Sequence, residues 1–366
     1  LLFALIALVI GNICYEVVSK LNTQSFLDHC SDLLTSISIT FFNNIIATIL
    51  AIIIAFLITN YLYNKKFFKS FFLIILISFP HISYCIGITY LFATSGFFAR
   101  LFAFFYGNDI PFISERGDAS SSLIYIISLA LREVPFLVLI GLSVLKKINA
   151  SQIQKQVLVL GHSNLSALLC CIFPIWLKSM GLPILIIVTF CFSNYEFSSI
   201  LGPQFPHMIN VKIIESWYST NFDLIQQMNS LIIITILSSI LALTTLYILM
   251  QILIGYLKNK KFLASSNYNL FLLGKIFYFM VIAIFTTILF ITSLLSIGES
   301  WFFPTIMPSN FSLRGFDYMV DNYLWLFFSS ILISSLISIL CLSFIVILIE
   351  TSKETKSIYK FLFTIS

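Results

Sequence analysis

The chain has 366 residues, of which 59% are hydrophobic, only 10% are charged and 39 are phenylalanine, and its mean hydropathy is +1.03. Soluble domains carry charge on roughly a quarter of their residues, so this composition excludes a soluble monomer. It also excludes disorder, which needs low hydrophobicity and high charge. The net charge of +5 comes from 20 basic and 15 acidic residues, but there is no basic groove with interleaved aromatics of the kind nucleic acid needs.

A bilayer core takes about 20 apolar residues per helix. Eight runs meet or approach that length: 1–18, 34–63, 71–92, 123–145, 168–191, 231–257, 270–295 and 323–349. They are apolar on all sides and longer than the alternating, roughly ten-residue strands of a membrane barrel. The expected fold class is therefore all-α, a polytopic transmembrane helical bundle of about eight spans. Bases cluster in alternate loops as Lys65, Lys66 and Lys69, then Lys146, Lys147 and Lys155, then Lys258, Lys260 and Lys261, then Lys353, Lys356 and Lys360. The intervening loops hold single bases such as Arg100, Arg116, Lys212 and Arg314 among acids. Lys-rich loops face the cytoplasm, so a multi-pass membrane protein with these loops inside is expected. Seven cysteines form no C-x-x-C pair and are expected to be inert buried thiols.

Between the fourth and fifth runs the chain reads KKINASQIQKQVLVLGHSNLSALLCCIFP from Lys146 to Pro174. Connections are usually a few residues long, and this one is long, partly amphipathic and punctuated by Gly161 and Pro174. A short helix is expected over 151–160, with Ser151 as N-cap and Gly161 ending it. A second helix starts near Asn164. Two short helices joined at a glycine on the Lys-rich side make a docking surface.

This stretch resembles the cytoplasmic loop of type I permeases of ATP-binding-cassette importers, whose pattern is E-A-A, three residues, G, nine residues, I-x-L-P. Lys155, Gln156 and Val157 stand at E-A-A, Gly161 at the glycine, Cys171 at the isoleucine, Phe173 at the leucine and Pro174 at the proline. The acid and both small residues are replaced. Segments 78–102 and 131–145 are similar to the two-module permeases of the thiamine and iron(III) type. The resemblance implies an ABC type I permease-like (MetI-like) module over 34–257, with its coupling loop at 146–174. It implies as partners a cytoplasmic ABC ATPase, a periplasmic substrate-binding protein and a second permease module. In that family the loop inserts into a groove on the ATPase. Here Lys155, Gln156, Val157, Leu158, Leu160, Gly161, Phe173 and Pro174 would form that contact, with Val157, Leu158 and Leu160 as its apolar part. Residues 1–33 are then an N-terminal span and outer loop. The segment from Asp321 repeats the pattern of the segment from Asp32, so 258–366 would hold a linker span and the first core helix of an incomplete second module.

Asn43, Asn44, His81, Arg132 and Glu133 lie near mid-span, where a charge costs about 2.5–3.5 kcal/mol on insertion scales unless paired or hydrated. They either bond neighbouring helices, with Arg132 as the nearest counter-charge for Glu133, or line a translocation path. His81 has no second ligand at metal spacing. Asn194, Tyr195 and Glu196 either face the path or mark the interface. Trp217, Tyr218, Trp301, Tyr323 and Trp325 fit aromatic belts at the membrane surface. There is no G-x-x-x-x-G-K-[ST] phosphate loop, G-x-S-x-G or H-E-x-x-H, so no catalytic residue, cofactor or metal is expected. The leading expectation is a non-enzymatic permease subunit driven by a separate ATPase. The alternatives are an ion-coupled secondary transporter using Glu133 or His81, and an inactive truncated permease.

Overall fold

The computed structural model describes residues 23–63, 65, 68–93, 95–107, 122–220, 222–259 and 270–354. The expected first span, 1–18, lies outside them, as do Lys66, Lys260, Lys261, Lys356, Lys360, Arg116, Cys14 and the acids of 109–118. The described chain is helical apart from one short ribbon. Helix α1 is Thr23–Leu62, α2 is Phe68–Ile77, α3 is His81–Phe92, α4 is Phe97–Tyr106 and α5 is Ser122–Lys147. Then come α6 (Ala150–Val159), α7 (Asn164–Ser166), a π-helical turn (Ala167–Ile172), α8 (Phe173–Ser179) and α9 (Gly181–Ser193). Helices α10 (Tyr195–Ile200), α11 (Ile209–Tyr218), α12 (Phe222–Asn259) and α13 (Leu270–Ile297) lead to an antiparallel ribbon of β1 (Gly298–Ser300) and β2 (Asn310–Phe311), and to α14 (Arg314–Glu354).

Among the described residues six segments are long and apolar enough to cross a bilayer: Asp32–Leu62, His81–Tyr106, Ser122–Lys147, Met228–Leu257, Leu270–Ile297 and Arg314–Leu348. The bent pair Asn164–Ser179 and Gly181–Ser193, turned by 63°, makes a seventh if it counts as one span. The chain is thus a multi-pass helical membrane protein. Two expected spans are corrected. The run 71–92 is not continuous: Pro80 has no N–H and forces Phe79 out of the helical region, so α2 stops at Ile77 and a new helix starts at His81. The run 168–191 is bent at Met180.

Helix α1 packs through one face of small residues. Ala47, Ala51 and Ala55 are buried there with Ser36, Thr40, Thr48 and Thr59. The hydroxyls of Ser36, Thr40, Thr48 and Thr59 donate to the carbonyl four residues back, so burying them leaves no polar group unmet. Lipid tails are as apolar as leucine, so helices in a bilayer associate by close packing of small residues rather than by hydrophobic drive. Asn44 meets Tyr125 and Thr59 meets Gly141, which sets α1 and α5 parallel. Phe41 meets Phe192 while Phe56 meets Phe173, so the bent pair runs antiparallel to α1. Tyr61 packs on Phe271, and the backbone of Gly274 closes on Leu57, so α13 is also antiparallel.

These directions collect the Lys-bearing turns at one end of the bundle. Lys65 sits 5.2 Å over the Phe271 ring at the start of α13, and Lys146 and Lys147 close α5 at the same end. At the other end Arg100 reaches from α4 to the ribbon. Its guanidinium donates to the carbonyls of Ser95, Trp301, Phe302 and Thr305 and lies 5.0 Å from the Trp301 ring. Trp301 also packs on Tyr90 and donates to Thr305 O, so it fastens the ribbon as well as marking an interface. The broad apolar exposure of α12 and α13 is the surface expected against lipid. No residue of the spanning window of α14 is buried.

Candidate functional site

The elbow between α6 and α8 is built by local rules. Asn149, at φ 51° and ψ 51°, starts α6 in the left-handed region that asparagine tolerates. This corrects the expected N-cap, since Ser151 lies inside the helix. At the other end Gly161 has φ 81°. Its N–H donates to Leu158 O at 2.9 Å, and the N–H of His162 donates to Val157 O at 3.2 Å. That pair of bonds is the Schellman closure, and it needs a residue that accepts positive φ without steric cost. Ser163 then caps α7 by accepting from Ser166 N, and Gln154 donates to Asn164 Oδ1 to tie the two short helices together.

Beyond α7 the helix slips into π register, with Phe173 N–H donating to Leu168 O. Pro174 follows and has no N–H to offer. Phe173 and Pro174 are buried, with Phe173 against Phe56 and stacked on Trp176. Trp176 in turn donates to Gly141 O. The far half of the expected contact therefore anchors the elbow in the bundle.

Lys155, Gln156, Leu158, Leu160 and Gly161 are exposed. Val157, expected to meet the partner, is buried against the bundle. The residue that sequence reasoning missed is Val159, which is 87% exposed beside Leu160 at 72%. The signal was present: Ala150, Ile153 and Val157 share one helical face, and Val159 lies opposite it.

The mid-span polar residues separate into distinct roles. Arg132 Nη2 donates to Ile77 O at 3.2 Å and Phe79 O at 2.9 Å. Those are the carbonyls that the Pro80 break leaves without helical partners. Ser78 N and Oγ take Ile74 O and Ile75 O, and Phe79 N takes Leu76 O, so the last carbonyls of α2 are bonded locally or by Arg132. Arg132 and Glu133 are consecutive and point about 100° apart on the helix. Among the described residues Arg132 acts on Glu133 as a nearby counter-charge without a direct salt bridge. Glu133 is buried on α5.

Asn44 Oδ1 accepts from Tyr125 OH at 2.8 Å. The Nδ2 atoms of Asn43 and Asn44 and the Nε of Arg132 are buried without a hydrogen-bond partner among the described residues. His81 packs its ring on Phe190 at 5.0 Å and Phe197 at 6.4 Å. Among the described residues no three His, Cys, Asp or Glu side chains are placed to hold a metal ion.

Toward the Arg100 end, Asn194 Oδ1 caps α10 through Phe197 N. Asn210 donates to Asn194 O and Ser198 Oγ, and Thr40 Oγ1 accepts from Ile209 N. Asn194 is thus a buried structural cap. Lys212 on α11 is half-buried and donates to Asp32 O. Burial draws its pKa down, against the pull of Asp32 and Glu215. The structure therefore brings Asn44, Tyr125, Asn194, Ser198 and Asn210 into a buried polar seam, and it sets the elbow apart at the Lys-bearing end. No family model, curated protein or solved structure matches the chain.

Proposed function

We propose that the chain is the permease subunit of an ATP-driven importer of the ABC type I class in a bacterial inner membrane. One observation carries this reading: a rigid, hydrogen-bonded elbow, α6–Gly161–α7, stands at the Lys-bearing end and presents Leu158, Val159 and Leu160 outward. A bare connection has no need of a double closure at Gly161, a cap at Ser163 and an anchor at Phe173. Coupling ATP hydrolysis to a path through helices needs a rigid lever, because this chain has no phosphate loop of its own. Closure of an ATPase dimer would move the elbow as a body, and the π turn and α8 would pass that movement to α5 and α1. A periplasmic binding protein would deliver solute at the Arg100 end, and a second permease module would complete the path.

Two outcomes test this reading. Val at position 161 would hold a β-branched residue at φ 81°, which costs about 1–2 kcal/mol. Gly161→Val should therefore lower recovery of a phosphate-loop ATPase in detergent pull-down by about tenfold, with membrane insertion unchanged. Equal recovery counts against the elbow as a dock. For orientation, cysteine introduced at Lys65 or Lys146 should resist an impermeant thiol reagent in intact cells, while cysteine at the exposed Phe302 should react. The reverse pattern inverts the topology.

Glu133, buried and without a direct salt bridge among the described residues, favours one other reading, an ion-coupled carrier in which Glu133 and His81 exchange protons. Uptake into vesicles separates the two. An importer requires the ATPase and ATP, whereas a carrier runs on the ion gradient alone.

A further inference from the structure

We propose that the partner surface received by the elbow is an apolar socket with an acidic rim; the inference rests on the importer reading above. Between Glu133 and Glu196 the sequence has no aspartate or glutamate, and this interval includes the whole elbow. Lys155 is exposed on α6, one turn from Leu158 and Val159, and Lys146 and Lys178 are exposed at the elements that flank it. Lys65 is exposed at the same end. No carboxylate lies on the elbow itself, and Glu350, exposed near the C-terminal end of α14, is carried toward the Lys-bearing end by that helix. Asp32, Glu196 and Glu215 sit at the Arg100 end, and Glu133 is buried in α5. The elbow itself therefore presents one sign of charge around an apolar tip. A partner rim of the same sign would be repelled, while an acidic rim would be steered in and held in register.

The distribution of apolar residues decides between a protein socket and a lipid surface. A helix lying in the bilayer interface needs an apolar stripe along its length. On α6 that stripe, Ala150, Ile153 and Val157, is turned into the bundle. The outward apolar residues are instead three in a row at the C-terminal tip, with open space around Gly161. That shape is a knob, which fits a concave protein surface.

The test uses the full chain in nanodiscs of zwitterionic lipid. The probe is the purified ATPase subunit that co-purifies with the chain and carries a G-x-x-x-x-G-K-[ST] loop. Binding should weaken about tenfold between roughly 50 mM and 500 mM salt, as the screening length shrinks below the spacing of rim charges. At low salt Lys155→Glu should bind about fivefold more weakly than wild type, and Lys155→Arg should match it. At high salt all three should converge. If binding ignores salt and Lys155→Glu binds as well as wild type, while Gly161→Val still weakens it, the elbow docks but the acidic rim is refuted. If the wild-type chain binds no ATPase at either salt, both the rim and the importer reading fall. A last arm places Val159→Cys in nanodiscs rich in anionic lipid without ATPase. Labelling by an impermeant maleimide should stay fast, and protection there would assign the knob to lipid and overturn the inference.

Discussion

Arg132→Leu should leave the chain inserted in the membrane but loosen its core. The guanidinium makes two charge-assisted hydrogen bonds to the carbonyls of Ile77 and Phe79, and each such bond contributes about 1.5–3 kcal/mol. Leucine would leave both oxygens buried with no donor, so the expected loss is about 3–6 kcal/mol. Removing an arginine also relieves an insertion cost of about 2.5–3.5 kcal/mol. That relief acts when the helix enters the bilayer, before α5 docks on the α2–α3 break, so it does not offset the packing loss. Cys85, buried in α3 just past the break, reports the difference. Its thiol should react with maleimide in detergent many times faster in Arg132→Leu than in wild type, at equal membrane yield. Arg132→Lys should fall between, because a single ammonium cannot span two carbonyls with a planar fork. Unchanged protection of Cys85 in the leucine variant would mean that the carbonyls find other donors.

Gly274→Val should be more damaging than the same change at Gly87 or Gly255. A Cβ there would stand 2.2 Å from Leu57 O and 3.0 Å from Tyr61 Cβ on α1. Leu57 O is backbone and cannot rotate aside, so α13 must back away from α1 along its length. Overpacking of this kind costs about 1–3 kcal/mol or more, here with the added loss of the contacts of Tyr61 with Phe271 and Tyr278. At Gly87 the clash would be with the side chain of Ile288, Cγ2 at 2.4 Å, and with no backbone atom, so a local shift of one side chain can relieve it and Gly87→Val should cost less. Gly255 has nothing within 4 Å. Gly255→Val should be neutral or slightly stabilising, since valine is the better helix former. The measurement is the thermal-unfolding midpoint of the three purified variants, and any order other than 274 below 87 below 255 would contradict the α1–α13 packing.

Much of the bundle was legible in the sequence because the bilayer imposes one rule on every span: backbone groups must bond within the helix, and side chains must be apolar. That rule located the long helices and excluded strands, and the alternation of lysine clusters matched the end to which the structure brings Lys65, Lys146 and Lys147. Gly161 was readable for the same local reason, since a left-handed turn is decided by a few neighbouring residues, whereas the helix start expected at Ser151 stands at Asn149. Proline was read less well. Pro80 breaks a helix, while Pro135 sits inside an unbroken one. Nothing in the local composition separates them, because the outcome depends on whether another helix supplies donors to the freed carbonyls.

Sequence by itself determined that this is a helical membrane protein, roughly where most of its described spans lie, and that a glycine-hinged elbow interrupts them. These follow from local and solvent-scale physics, in which each residue's preference is set by its neighbours and by the bilayer. Only the tertiary structure decided that Arg132 also serves the Pro80 break, that Val157 is buried and Val159 exposed, and that Arg100 clasps the ribbon. Each of those depends on a partner distant in the chain, Ile77 and Phe79 for Arg132 and residues 301–305 for Arg100. Hydrogen bonds and close packing act only at contact distance, so their partners are fixed when the helices dock and not before.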